Sequence, residues 1–228
     1  MSSPPIGPAV PGWTPREAPP SSPMAGRYVR VERLDPERHA PQLAAAHERT
    51  DPAHWTYLFD DKPASPEAYL AWARKAAATA DPLFHAIVDP GTGHALGVAA
   101  FMRIDRTHGV IEIGHINLSP RLQGTRAATE AMFLFMRRAF DELGYRRYEW
   151  KCDSLTAPSR AAALRLGFTF EGIFRQAVVY KGRSRDTAWY SIIDREWPAL
   201  KQSFERWLDP ANFDEHGRQR RRLQEFRR

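Results

Sequence analysis

Gln123-Gly124-Thr125-Arg126-Ala127-Ala128-Thr129-Glu130 is the stretch that decides the fold of this chain. It lies between a predicted strand over 110–118 and a predicted long helix over 126–143. A short loop opening into a helix aims several backbone N–H groups at one point, and the helix N-terminus adds roughly half a positive charge. Such a site holds a phosphate or pyrophosphate without a dedicated cation. Ala128, Met132, Phe135, Ala139 and Leu143 recur on one face of the helix, with Glu130, Arg137, Arg138 and Asp141 on the other. Gly144 ends it, as glycine does just past a helix.

Working outward, 84–88 and 96–104 read as strands separated by Asp89-Pro90-Gly91-Thr92-Gly93, a turn by composition. With 105–109 as a second turn, three strands joined by short connections form an antiparallel meander. Upstream, 28–34 alternates as a first strand, and helices are expected over 40–49 and 66–79. Trp55, Tyr57, Leu58 and Phe59 lie between those helices and read as core, or else as one wall of a substrate pocket. Downstream come a strand over 147–152, a helix over 156–166 ended by Gly167, strands over 168–180 and 187–194, and a helix over 194–207. The expected class is α/β (α+β): a mixed, mostly antiparallel sheet of six to seven strands with helices on both faces.

Composition bounds the function. At 228 residues, with 7 Trp, 12 Phe and 7 Tyr, the chain suits one packed domain. Its one cysteine, Cys152, excludes an intramolecular disulfide and suits a reducing, cytoplasmic setting. No run of eighteen apolar residues occurs, and the start lacks a signal-peptide pattern, so no membrane partner is expected. Residues 1–26 are rich in Pro and Ser and read as a flexible or draped arm, 27–208 as the domain, and 209–228 as a basic tail. The net charge of +6 owes much to Arg218, Arg220, Arg221, Arg222, Arg227 and Arg228. Without a nucleic-acid recognition motif such a tail is a solvated end, and no specific nucleic-acid partner is expected.

Three segments carry a family resemblance: 112–120 with 123–131, then 143–152, then Thr156-Ala157-Pro158-Ser159 leading to Leu166-Gly167-Phe168 and Glu171-Gly172. In that order they resemble the GNAT superfamily of acyl-CoA-dependent N-acyltransferases, nearest to its RimJ/RimL-like group, over about residues 26–198. The resemblance implies acetyl-CoA as co-substrate and no metal. Its pyrophosphate loop would be Gln123, Gly124, Thr125, Arg126, Ala127 and Ala128, with Arg126 standing where the family usually has glycine. It also implies that the strand before the loop splays from its neighbour, so that Ile116, Asn117 and Leu118 offer backbone to the acyl-pantetheine.

Thr156 and Ser159 first suggest capping of a helix whose first turn holds Pro158. The resemblance places both beside the cofactor, with Ser159 as the acid that protonates the departing thiolate. A protonated amine cannot attack a thioester, so a base is required. The position matching the glutamate proposed in relatives is Val178, which cannot serve. Glu112 is the replacement candidate, weighed against a structural carboxylate paired with an arginine such as Arg103. By alternation Glu112 shares a face with Gly114 and Ile116, and His115 turns to the opposite face as a core histidine.

The expected partner is an amine acceptor, either a protein N-terminus or a small-molecule amine, with Trp55, Tyr57 and the hairpin 181–186 bordering its pocket by fold analogy. Trp197, Leu200, Phe204 and Trp207 suit the core, and a homodimer interface is the second reading for them. The alternatives are a non-catalytic acyl-CoA-binding regulatory module and a nucleic-acid-associated protein that uses the Arg-rich tail.

Overall fold

The computed structural model describes residues 4–227. Its strands are β1 (Met24–Ala25), β2 (Arg30–Arg33), β3 (Leu83–Val88), β4 (Ala95–Asp105), β5 (Val110–Leu118), β6 (Arg147–Asp153), β7 (Thr169–Tyr180) and β8 (Arg183–Ile193). Helices α1 (Pro36–His47), α2 (Pro66–Ala77), α3 (Arg126–Arg137), α4 (Ala157–Leu166) and α5 (Trp197–Trp207) complete the frame. No helix among the described residues is long and apolar enough to cross a membrane.

All eight strands form one sheet in the order β1-β2-β3-β4-β5-β6-β8-β7. Only β5 and β6 run parallel, because α3 carries the chain over the sheet between them. The count exceeds the expected six to seven because Met24 and Ala25, assigned from sequence to the arm, pair with Val31 and Arg30. Two residues carry too little periodicity to read as a strand.

The sheet separates two apolar layers. Ala99, Phe101, Ile111 and Ile113 face α3 and α5 in the larger core, and Val98 and Ala100 pack with Leu43, Tyr69 and Ala73 of α1 and α2 on the other side. Local signals set the helix starts. Asp35 caps α1 by accepting from the Glu37 and Arg38 amides, Ser65 caps α2 at Ala68, and each helix has proline in its first turn. Beyond Arg137 the helix continues as a π-turn (Arg138–Glu142) before Gly144, at φ 65°, releases the chain.

The polar face assigned to α3 needs correction. Glu130 and Arg138 are buried, as is every residue from Ala128 to Met136. The segment before β2 covers them. Arg138 donates to the Ser22 and Pro23 carbonyls, and Glu130 accepts from the Arg27 and Tyr28 amides at 2.9 and 2.6 Å. Farther out, Trp13 donates to the Thr107 carbonyl and rests against Gly109, where a Cβ would lie 2.4 Å from the indole.

Packing also continues past residue 208. Phe213 and Leu223 belong to the larger core, and Arg227 donates to the Leu164 and Arg165 carbonyls. Arg221 stacks over Phe226 at 4.4 Å. Arg228 lies outside the described residues. Trp197, Phe204 and Trp207 are buried in the larger core.

Candidate active site

Thr125 sets the start of α3. Its hydroxyl donates to the Leu122 carbonyl at 2.7 Å and accepts from the Ala128 amide at 3.1 Å. Leu122, Gln123 and Thr125 have their amides occupied within the preceding turn, whereas those of Gly124, Arg126 and Ala127 meet no described acceptor. Gly124 adopts φ 70°, and a Cβ there would meet nothing within 4 Å, so the loop backbone is open to a ligand. These free amides at a helix N-terminus fit the pyrophosphate of a CoA molecule. Arg126 contributes its amide, while its guanidinium stacks 4.2 Å over Tyr28 and 5.2 Å from Phe213.

The same residues lead into a parting of the sheet. β5 and β6 pair from Val110↔Arg147 to Ile113↔Trp150 and no farther, although both strands continue. Beyond that point β5 contains a bulge: Ala100 faces Gly114, yet Val98 faces Asn117. His115 takes up the extra residue at φ 49°. The bulge shifts the alternation, so Asn117 rather than Ile116 continues the face of Glu112 and Gly114. Ile116, Asn117 and Leu118 are half-buried along the opened strand.

Gly97 permits this arrangement, because a Cβ on it would lie 2.8 Å from the Asn117 carbonyl oxygen. Gly97→Ala is therefore expected to cost about 1–3 kcal/mol, read as a lower urea midpoint. Weakened acetyl-CoA protection should accompany it, since the clash displaces the strand that borders the opening.

His115 also departs from its expected position as a core histidine on the opposite face. Its ring lies 4.9 Å from Phe84 and 6.3 Å from Phe59, on the side of the sheet that carries Glu112. No described residue hydrogen-bonds its side chain, and burial, opposed by Asp60, holds its pKa below the usual histidine value.

Glu112 occupies a denser electrostatic setting. It is buried and accepts from Lys151 Nζ at 2.8 Å, with Arg103 Nε at 3.5 Å. Lys151 also bonds Glu149 at 2.6 Å and lies 3.7 Å over the Trp189 ring. Arg147 extends the chain of charges from Glu149 to Glu171. Burial raises the Glu112 carboxyl above the ordinary range, and Lys151 opposes the rise.

At the start of α4 the capping expectation fails. Thr156 makes no side-chain cap, and its buried Oγ1 has no partner among the described residues. Ser159 Oγ accepts from Trp150 Nε1 at 3.0 Å, and its hydroxyl also lies within hydrogen-bonding reach of the Cys152 sulfur. Cys152 is buried nearby with its thiol pKa raised by that burial, so it is not primed as a nucleophile.

On the other side, the aromatic cluster divides. Trp55 is buried, whereas Tyr57 and Phe59 are exposed. Trp55 and Tyr180 help line a cleft of about 590 Å³ whose charged residues are Asp61, Lys62, Lys181 and Arg183. β7 and β8 turn through Lys181 and Gly182, both at positive φ, so β8 starts at Arg183, earlier than expected. Sequence reasoning missed His54, whose Nε2 meets Asn117 Oδ1 at 2.7 Å and whose Nδ1 meets Gln123 Nε2 at 3.4 Å. Gln123 also donates to the Leu118 carbonyl, so its side chain ties the loop to the strand. A lone histidine in an irregular segment offers no sequence signal of that contact.

Residues 29–169 match the family described as "Acetyltransferase (GNAT) domain", and the chain belongs to that family. A GCN5-related N-acetyltransferase from Brucella melitensis is 51% identical, with a TM-score of 0.93 over 96% of this chain and 99% of that one. The uncharacterized N-acetyltransferase p20 of Bacillus licheniformis is 31% identical over 111 residues, which cover 49% of this chain and 62% of the relative. The fold is also shared with a Salmonella typhimurium acetyltransferase described as modifying the N-terminal serine of ribosomal protein L7/L12. That structure is 20% identical, with a TM-score of 0.65 over 75% of this chain and 99% of that one.

Proposed function

We propose that this protein is an N-acetyltransferase that uses acetyl-CoA to acetylate a primary amine by direct attack. The observation that carries the reading is the parting of β5 from β6 beyond Ile113, beside the free amides of Gly124, Arg126 and Ala127. Those amides would hold the pyrophosphate, with Ile116, Asn117 and Leu118 along the acyl-pantetheine and the Thr156 hydroxyl at the helix start beside it. Acetyl-CoA, when bound, supplies an activated thioester: a C–N bond forms, the C–S bond breaks, the amine loses one proton and the thiolate gains one.

Glu112 and His115 are the two candidate proton acceptors beside the opening. His115 is favoured because burial holds its pKa below the usual histidine value, no described residue hydrogen-bonds its ring, and it sits at the bulge of the opened strand. Glu112, tied to Lys151 at 2.8 Å, is assigned to orienting the buried charges. Ser159 is the proposed donor to the thiolate: Trp150 Nε1 fixes its oxygen, and its hydroxyl proton can turn from the Cys152 sulfur to a departing thiolate. The acceptor is a primary amine, on a protein N-terminus or a small molecule, that enters past Trp55 and Tyr180.

Thermal unfolding with and without acetyl-CoA tests the cofactor half, with adenosine monophosphate as control. At about 100 times its dissociation constant acetyl-CoA should add roughly 2.7 kcal/mol. Stabilisation together with acetylation of an amine panel is the expected result. Stabilisation without turnover would leave an acyl-CoA-binding module, and no stabilisation would remove the reading.

A further inference from the structure

Three consecutive inward positions of β8 carry buried polar atoms that no group among the described residues satisfies: Arg185 Nε, Thr187 Oγ1 and Trp189 Nε1. They share one face by alternation, opposite Asp153 and Lys151 of β6 and away from the α3 core. Arg185 is the most demanding of them. It is 6% exposed, yet no carboxylate among the described residues lies within 4 Å of its nitrogens. Its cross-strand neighbour is Val178, which is apolar. The nearby buried carboxylate, Asp153, is committed to the Tyr180 hydroxyl at 2.8 Å and the Leu155 amide at 2.9 Å.

What surrounds the guanidinium is aromatic. Its central carbon lies 5.0 Å from the Phe59 ring centroid and 5.8 Å from that of Tyr180. Ring faces attract a cation but accept few of the five N–H bonds that a guanidinium offers. A buried charge without a counter-ion is costly, and a forked donor is matched best by a carboxylate. The Phe59 ring that flanks Arg185 also flanks His115, 6.3 Å away, so the unpaired cation and the proposed base border one space. Tyr180 in turn lines the cleft that leads outside, where Lys62, Lys181 and Arg183 outnumber Asp61 and favour an incoming anion.

We infer that Arg185 is the receptor for a carboxylate on the amine acceptor, with Thr187 and Trp189 bonding further oxygens along the same strand. The inference rests on the acetyltransferase reading and narrows its substrate to primary amines that carry a carboxylate near the reacting nitrogen. Two sources fit that chemistry: a free amino acid, or a polypeptide N-terminus with an acidic residue next to it.

The test compares matched acceptors at saturating acetyl-CoA. One arm sets free α-amino acids against their α-carboxamides. The other sets short peptides with Asp or Glu as second residue against the same peptides with Asn or Gln. Wild type should favour the carboxylate member at least tenfold in kcat/KM, mainly through KM, and the arm that shows the preference identifies the source. Arg185→Gln should bring the ratio near one by lowering kcat/KM for the carboxylate member more than for the carboxamide, and Arg185→Lys should restore part of the preference.

Equal use of both members by wild type in both arms overturns the inference, whether or not Arg185→Gln folds, and so does a preference that survives in a folded Arg185→Gln. Both results leave the transferase reading standing. Turnover of no amine counts against that reading instead. The anion site is then decided by succinate: millimolar succinate should raise the melting temperature of wild type but not of Arg185→Gln, and equal responses overturn it.

Discussion

Replacing Lys151 by methionine is expected to remove about 3–5 kcal/mol of stability, the penalty for leaving buried charge uncompensated. Lys151 is the shared cation of two buried carboxylates, at 2.8 Å from Glu112 and 2.6 Å from Glu149. Without it Glu149 keeps Arg147 at 2.6 Å, so most of the damage falls on Glu112. Glu112 retains only Arg103, which is 61% exposed and 3.5 Å away.

The pH dependence follows from sign. Burial already raises the Glu112 carboxyl, and loss of Lys151 removes the main influence holding it down. A carboxyl whose folded pKa exceeds its unfolded value contributes stability that is present below the unfolded pKa and lost as pH rises through the folded one. The Lys151→Met deficit should therefore be smallest near pH 4 and full by neutrality, as urea midpoints at both values would show. Adding Glu112→Gln should recover part of the loss, because the orphaned charge is gone. A deficit of equal size at both pH values would mean that lost packing against Trp189 dominates instead.

The parts of this architecture legible in the sequence are those set by local signals. Strand β5 occupies the predicted span, because its apolar residues alternate between two turn-forming segments. The helix after Gln123 starts at Arg126, as its apolar periodicity predicts, and the Thr125 cap is the local reason. What escaped the sequence depends on contacts made by other elements. The bulge at His115 is a matter of register against β4, and one inserted residue reverses the faces of everything beyond it. That reversal is why alternation placed His115 away from Glu112. Glu130 and Arg138 looked solvated because the segment that covers them lies more than a hundred residues upstream. Arg185 carries no signal in the sequence, since a charged residue in a strand is ordinary unless the fold buries it without a counter-ion.

His115→Gln is expected to lower kcat/KM by about 10²–10⁴, the usual worth of a positioned general base, while protection by acetyl-CoA is unchanged. The unchanged protection separates this result from a collapsed site. Burial holds the imidazole pKa below the usual histidine value, so in wild type the base is already in its neutral form at pH 7. The acid limb of the wild-type rate profile should then fall below about pH 6.5, the unperturbed histidine value, and should be absent from the variant.

What remains in the variant depends on the acceptor alone. Only its unprotonated amine can attack, so residual activity should climb about tenfold per pH unit until the amine itself titrates. Glu112→Gln is the counter-experiment. It removes the acceptor oxygen bonded to Lys151 or leaves a weaker one, so its main effect should be on stability, with turnover reduced less than in His115→Gln. Should Glu112→Gln abolish turnover while His115→Gln stays within a few-fold of wild type, the proton goes to Glu112 and the unbonded imidazole serves only to shape the opening between β5 and β6.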